Sequence, residues 1–173
     1  MEKYMPDIYQ KSIFTINYQK LMTNGIKCLL FDLDNTLVPY YQKEPDRRII
    51  DLFNNLKERG FTVAIISNSP KKRLEPFIEK LNVECSCSSR KPSTKGFKEL
   101  MRKLDFNECE IAIIGDQILT DVVGGNKVGI TTILTSPLVK KDFIITRFGR
   151  ILESIIINRL SFKNLFFRGS YYD

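Results

Sequence analysis

Short apolar runs that stop on polar side chains constrain this chain most. Lys27 to Leu33 (KCLLFDL) runs into Asp32 and Asp34, and Phe61 to Ile66 (FTVAII) runs into Ser67 and Asn68. Glu110 to Ile114 (EIAII) passes through Gly115 into Asp116, and Thr131 to Leu134 (TTIL) is a further run. Apolar runs of this length, without polar alternation, read as strands buried on both faces. Between them lie stretches with helical spacing. Arg47 to Arg59 places Ile49, Ile50, Leu52, Phe53 and Leu56 as an amphipathic stripe, with Gly60 as its stop. Lys72 to Leu81 reads as a helix and Val83 to Cys85 as a short edge strand. Thr94 to Leu104 sets Phe97, Leu100, Met101 and Leu104 on one side of a helix. Thr120 to Val128 reads as a short helix interrupted by Gly124 and Gly125, which read as a tight loop. Strands alternating with helices need right-handed crossovers, so the expected fold class is α/β with a central parallel sheet. The 173 residues fit a single domain, and 43% hydrophobic residues suffice for its core.

Composition removes several chemistries. The chain has no histidine, which excludes a Ser-His-Asp triad, a histidine nucleophile and any zinc site with imidazole ligands. Catalysis has to rest on Asp, Glu, Lys, Ser or Thr. Of the four cysteines, Cys28, Cys85, Cys87 and Cys109, only Cys85 and Cys87 lie close, at a C-x-C spacing unlike C-x-x-C metal or redox sites. Free thiols in a reducing cytosol are expected, with Cys28 as inert packing on a core strand. The net charge of +7 favours acidic partners: phosphorylated metabolites, anionic lipid or nucleic acid. No nucleic-acid-recognition motif accompanies the charge, so nucleic acid is the weaker partner. Met1 to Gly25 lacks the apolar stretch of a signal peptide, and no apolar run is long enough to span a bilayer.

In open α/β sheets ligands bind beyond the carboxyl ends of the strands. Asp32 and Asp34, Ser67 and Asn68, Lys91, and Asp116 with Asp121 all fall at such ends or on nearby loops. Phosphoryl transfer fits this set. A phosphate ester is dianionic and repels a carboxylate nucleophile, so a cation has to bridge the two. Mg²⁺ takes oxygen ligands, and Asp32, Asp116 and the Asp34 main-chain carbonyl can provide them. Asp32 can attack phosphorus, and Asp34 can protonate the leaving alkoxide and then deprotonate water. Ser67, the Asn68 backbone amide and Lys91 can hold the equatorial oxygens. Each cluster also has a structural reading. Asp34-Asn35-Thr36 could be a capped turn, Ser67 to Pro70 a helix N-cap, and Asp121 the N-terminal charge of a helix.

Asp32-Leu33-Asp34-Asn35-Thr36-Leu37 resembles the D-x-D-x-T-L signature of haloacid-dehalogenase (HAD) phosphatases. Ser67, Lys91 and the G-D-x-x-x-x-D of Gly115 to Asp121 resemble that family's second, third and fourth motifs. The resemblance implies a HAD-like Rossmannoid three-layer sandwich. In it Asp32 is nucleophile, Asp34 acid/base, Ser67 and Lys91 phosphate ligands, Asp116 a metal ligand and Asp121 a metal or supporting residue. Only Val38 to Asp46 separates the first motif from its helix, and only a helix and short strand separate Ser67 from Lys91. The site is therefore expected to be capless and open.

The D-x-D-N-T-L-V-P form of the first motif and the G-D-Q-x-x-T-D-V-x-G-G-N form of the fourth carry a closer resemblance. So does Thr146 to Glu153, which is similar to a T-K-x-N-R-x-x-E pattern through Arg150 and Glu153. Together they resemble the YqeG branch of HAD subfamily IIIA, whose eukaryotic relatives are phosphatidylglycerophosphate phosphatases. The implied reaction is Mg²⁺-dependent hydrolysis of that lipid phosphate, in the cytoplasm and peripherally at the inner face of the cell membrane. The domain is expected to comprise an N-terminal extension (1–25), a catalytic core (26–137) and a C-terminal helix with a basic-aromatic tail (138–173). A soluble phosphatase of nucleotides, sugar phosphates or phosphoproteins, and a non-catalytic binding or assembly protein, stand as alternatives. No obligate protein partner is inferred. From Phe148 onward, Ile151, Leu152, Ile155, Ile156 and Leu160 form a helical stripe, with Arg147, Arg150 and Arg159 off it. The stripe is expected to pack on the protein's own sheet, while Phe162 to Asp173 is a candidate for membrane contact.

Overall fold

The computed structural model describes residues 2–139 and 144–173, and the side chains of all of these except 144–150. Arg150, matched above to a family pattern, and Arg147, placed beside the helical stripe, therefore lie outside the described side chains.

The apolar runs form the expected parallel sheet. Its strands are β1 (Ile8–Gln10), β2 (Cys28–Phe31), β3 (Thr62–Ile66), β4 (Glu84–Ser86), β5 (Ile111–Gly115) and β6 (Thr131–Thr135). Their order across the sheet is β1-β6-β5-β2-β3-β4, and every neighbouring pair is parallel. Helices α1 (Tyr18–Thr23), α2 (Arg47–Glu58) and α3 (Lys71–Leu81) cover one face through Leu21, Phe53 and Phe77, packed on Leu29, Phe31, Ile65 and Ile114. Helices α4 (Thr94–Leu104) and α5 (Val123–Val128) cover the other through Phe97, Leu100 and Val128, packed on Cys28, Leu30, Ala64 and Ile113. Alternate residues of β2 thus feed opposite cores, which is why its sequence shows no polar alternation. Burial raises the Cys28 thiol to about 12, in keeping with inert packing.

Three expectations change. The segment before Gly25 is not only an extension, since its Ile8–Gln10 adds β1 beside β6. Gly124 and Gly125 do not form a tight loop. They lie within α5, where a Cβ on Gly124 would meet Phe97 at 2.6 Å and one on Gly125 would meet Ile113 and Thr132 at 2.6 Å. Helix and sheet touch there, so the glycines are set by packing. Finally, α6 (Ile144–Phe162) does not bury its whole stripe. Ile157 and Leu160 are buried and Ile156 partly so, whereas Ile151, Leu152 and Ile155 are exposed.

Replacing Gly125 with Val should lower stability by about 1–3 kcal/mol through overpacking, despite valine's better helix propensity. The shift of the urea unfolding midpoint measures this. An unchanged midpoint would mean that α5 is free to move off the sheet.

Candidate active site

The sheet order reverses direction at β2. From it the chain proceeds to β3 and β4 on one side, and returns to β5 and β6 on the other. Such a switch point opens a crevice at the carboxyl ends of the two diverging strands. Asp32 follows β2 and Asp116 follows β5. The Asp32 N–H donates to Ile114 O at 2.8 Å, which fixes the two strand ends side by side.

After Asp32 the chain turns sharply. Asn35 takes the left-handed conformation (φ +66), which Asn tolerates better than most residues. The turn brings Thr36 back over Asp32. Its hydroxyl lies 3.3 Å from Asp32 Oδ2 and 3.4 Å from Asp116 Oδ1. Asp121 arrives from a π-helical turn, Ile118–Val122, that precedes α5. Its Oδ2 accepts from the Gln117 N–H and from the Thr120 hydroxyl, each at 3.2 Å. Asp121 folds back so closely over Gly115 that a Cβ there would stand 2.2 Å from its Cγ. The glycine of the G-D motif is therefore a space requirement.

Oxygens of Asp32, Asp116 and Asp121 lie within 4.8 Å of one another, and all three side chains are buried. Lys91 enters this cluster. Its Nζ donates to Asp32 Oδ1 and Asp121 Oδ1 at 2.6 Å each, and to Ile66 O at 2.9 Å. The loop that delivers it adopts left-handed backbone at Ser88 and Arg90, which costs roughly 1 kcal/mol per residue. The side chain of Asn68 holds the loop in place. Its Oδ1 accepts from the Lys91 N–H at 2.6 Å, and its Nδ2 donates to the Lys91 carbonyl at 3.1 Å. Ser89 adds hydrogen bonds to Ser67 O and Asn68 Oδ1.

Electrostatics follow from this crowding. Burial lowers the Lys91 ammonium's hold on its proton, but the Asp121 and Asp32 carboxylates outweigh it and keep the ammonium above its usual range. Burial pushes the Asp32 carboxyl up to about 7, against the pull of Lys91 and with a further push from Asp121. Three buried carboxylates thus offer oxygen-only donors at one point. That donor set fits a hard divalent cation.

Asp34 turns elsewhere. Its Oδ2 accepts from the Ser69 hydroxyl at 2.7 Å, and its Oδ1 accepts from Arg73 Nη2 and Nε at 2.9 and 3.3 Å. The expected cap at Ser67 to Pro70 is not formed by a side chain. Pro70 is the N-cap of α3 and its ring has no acceptor to offer, while the Ser69 hydroxyl donates to Asp34 and Ser67 Oγ accepts from the Ser69 N–H. Asp32, Asp34, Ser67, Asn68, Lys91, Asp116 and Asp121 are all brought to this one end of the sheet. Sequence reasoning missed the roles of Ser69 and Arg73, and named Thr36 only as part of the first motif. Arg73 sits in the first turn of a helix that starts at the end of a central strand, and that position was the available signal. No inserted domain covers the mouth among the described residues: 39–46 and the α3–β4 unit run directly between the motifs.

Replacing Lys91 with Met would leave Asp32 and Asp121 buried without their cation. Unfolding stability should fall by about 3–5 kcal/mol, as when one partner of a buried ion pair is removed. Urea titration tests this. A loss within about 0.5 kcal/mol would place Lys91 outside the cluster's energetics.

Residues 29–90 match the family described as haloacid dehalogenase-like hydrolase, and residues 88–137 match the family described as HAD-hydrolase-like. The chain is 39% identical over 160 residues to the Bacillus subtilis protein named "Probable phosphatase YqeG", covering 92% of this chain and 93% of that one. It is 26% identical over 174 residues to phosphatidylglycerophosphate phosphatase 1, chloroplastic/mitochondrial, of Arabidopsis thaliana. That match covers 93% of this chain and spans about half (49%) of the Arabidopsis protein. Among solved structures, the cobalt-bound deoxy-D-mannose-octulosonate 8-phosphate phosphatase of Haemophilus influenzae shares the fold. Its TM-score is 0.57 at 17% identity, over 83% of this chain and 92% of that one.

Proposed function

The chain belongs to the haloacid-dehalogenase family of phosphatases, and we propose that it hydrolyses the terminal phosphate of phosphatidylglycerophosphate through an aspartyl phosphate on Asp32, with Mg²⁺ as cofactor. The observation that carries the catalytic part is the convergence of Asp32, Asp116 and Asp121 at the switch point of the sheet, with the buried Lys91 bonded to Asp32 and Asp121. The likeness to the Arabidopsis enzyme supports the lipid substrate, and a mouth without a cap suits a headgroup carried at a surface. On this reading the enzyme works at the inner face of the cell membrane.

Asp32, Asp116 and the Asp34 main-chain carbonyl would hold the cation, with Asp121 in support. Once bound, Mg²⁺ offsets the repulsion between the carboxylates and the phosphate oxygens. The protein's own groups carry the steps. An Asp32 oxygen attacks phosphorus, and its O–P bond forms as the ester P–O bond breaks. Asp34 gives its proton to the departing alkoxide. Water then attacks the phosphorus of the aspartyl phosphate and yields its proton to Asp34. The Asp32 carboxylate is restored and inorganic phosphate leaves. Lys91, Ser67 and the Asn68 backbone amide hold the equatorial oxygens, while Ser69 and Arg73 keep Asp34 oriented between steps.

Four experiments test this. Asp32→Asn should fold normally and lose at least about a thousandfold in turnover, since an amide is a poor nucleophile. The parent should lose activity to a chelator and regain it with Mg²⁺. A panel of phosphatidylglycerophosphate in vesicles, nucleotides and sugar phosphates then decides the substrate. A kcat/KM for the lipid below that of the soluble esters would overturn the lipid reading and leave the phosphatase intact. Asp34→Asn should cost far more with poor leaving groups than with p-nitrophenyl phosphate, which needs little protonation. Equal losses across a leaving-group series would assign Asp34 a structural role.

A further inference from the structure

We propose that the outer face of α6 is a seat for an anionic lipid bilayer, holding the catalytic mouth against the membrane. The helix is apolar on two opposite sides. Its inner side carries Ile157 and Leu160, buried against Ile118 and Val122 of the turn that bears Asp121. On the same side Glu153 is buried and accepts from the Ile118 N–H, two residues beyond Asp116. The helix is therefore fastened to the catalytic loop itself.

At 100° per residue, Ile151, Ile155 and Phe162 lie within about 40° of one another, opposite Glu153 and Leu160. All three face solvent: Ile151 is 59% exposed, Ile155 45% and Phe162 91%. A water-facing helix normally turns a polar face outward, whereas one that is apolar all round needs a cover on both sides. Ile155 and Phe162 also border a groove of about 480 Å³ whose other walls are Asn158, Arg159 and Lys163.

Charge selects the cover. Over 151–173 the acids are Glu153, turned inward, and Asp173, bonded to Gln10. Arg159 and Lys163 flank the apolar stripe and are exposed. A second copy of the chain docking by the same face would set these cations against each other, while an anionic bilayer complements them. No helix among the described residues is long and apolar enough to cross a membrane, so the contact is interfacial. The proposal deepens the lipid-phosphate reading by naming the surface that would meet the membrane.

The test is sedimentation of the full chain with phosphatidylglycerol vesicles and with phosphatidylcholine vesicles, read without turnover. The parent should pellet with the anionic vesicles and be released by salt. The double variant Ile155→Asp, Phe162→Asp should lower partitioning at least about tenfold. Its melting temperature and its hydrolysis of p-nitrophenyl phosphate should match the parent's. A parent that stays in the supernatant with anionic vesicles overturns the proposal, as does a folded double variant that binds undiminished. A concentration-dependent dimer that the double variant abolishes, without vesicle binding, assigns the face to a second copy and also overturns it. Vesicle binding without hydrolysis of phosphatidylglycerophosphate leaves the seat standing and removes the substrate reading.

Discussion

The ammonium of Lys91 is what permits Asp32 and Asp121 to share one buried space. Without it, Asp32 and Asp121 would face each other across a few ångströms of low-dielectric protein, and one of them would take up a proton. With it, the ends of β2 and β3 and the turn after β5 are tied at one point, because the same nitrogen reaches Asp32, Ile66 O and Asp121. The surrounding chain is arranged to deliver that nitrogen. Two left-handed residues bend the loop, and the Asn68 side chain pins it from both sides of the Lys91 peptide.

The tie also has a cost. Burial raises the charged form of Asp32 in energy, and Asp121 beside it adds to the push. A folded protein built for stability alone would replace such a cluster with packed apolar side chains. Its persistence, beside a glycine whose missing side chain lets Asp121 close over it, marks a site shaped for a positively charged visitor.

How much of this was legible in the sequence depended on the length scale of each signal. The carboxylates were readable because each follows an apolar run long enough to be a strand, and strand ends in such sheets converge. Lys91 was readable only through its family motif, since nothing local distinguishes it from the solvated Lys95 nearby. The strand Ile8–Gln10 was invisible: three residues cannot show a period, and it is held by pairing with β6. Arg73 reads as an ordinary polar residue of an amphipathic helix, and its partner Asp34 is 39 residues away. Gly124 and Gly125 look like chain breakers from sequence, while in space they are the contact between a helix and the sheet. The α6 stripe was ambiguous for a different reason. Apolar residues on several sides of one helix do not say which side meets the core.

The two outermost strands differ in how they end the sheet. On β4 the edge is three residues long and carries Glu84, bonded to Lys103. On β1 the edge is occupied: Tyr9 and Tyr172 exchange both main-chain hydrogen bonds at 2.8 Å, as an isolated antiparallel bridge. Rings from the tail, Phe166, Tyr171 and Tyr172, close around Tyr9. An exposed β edge is a template on which other chains can polymerise. The tail that follows α6 therefore acts as a stopper for the sheet, and trimming it would leave the outer main chain of β1 open to pairing.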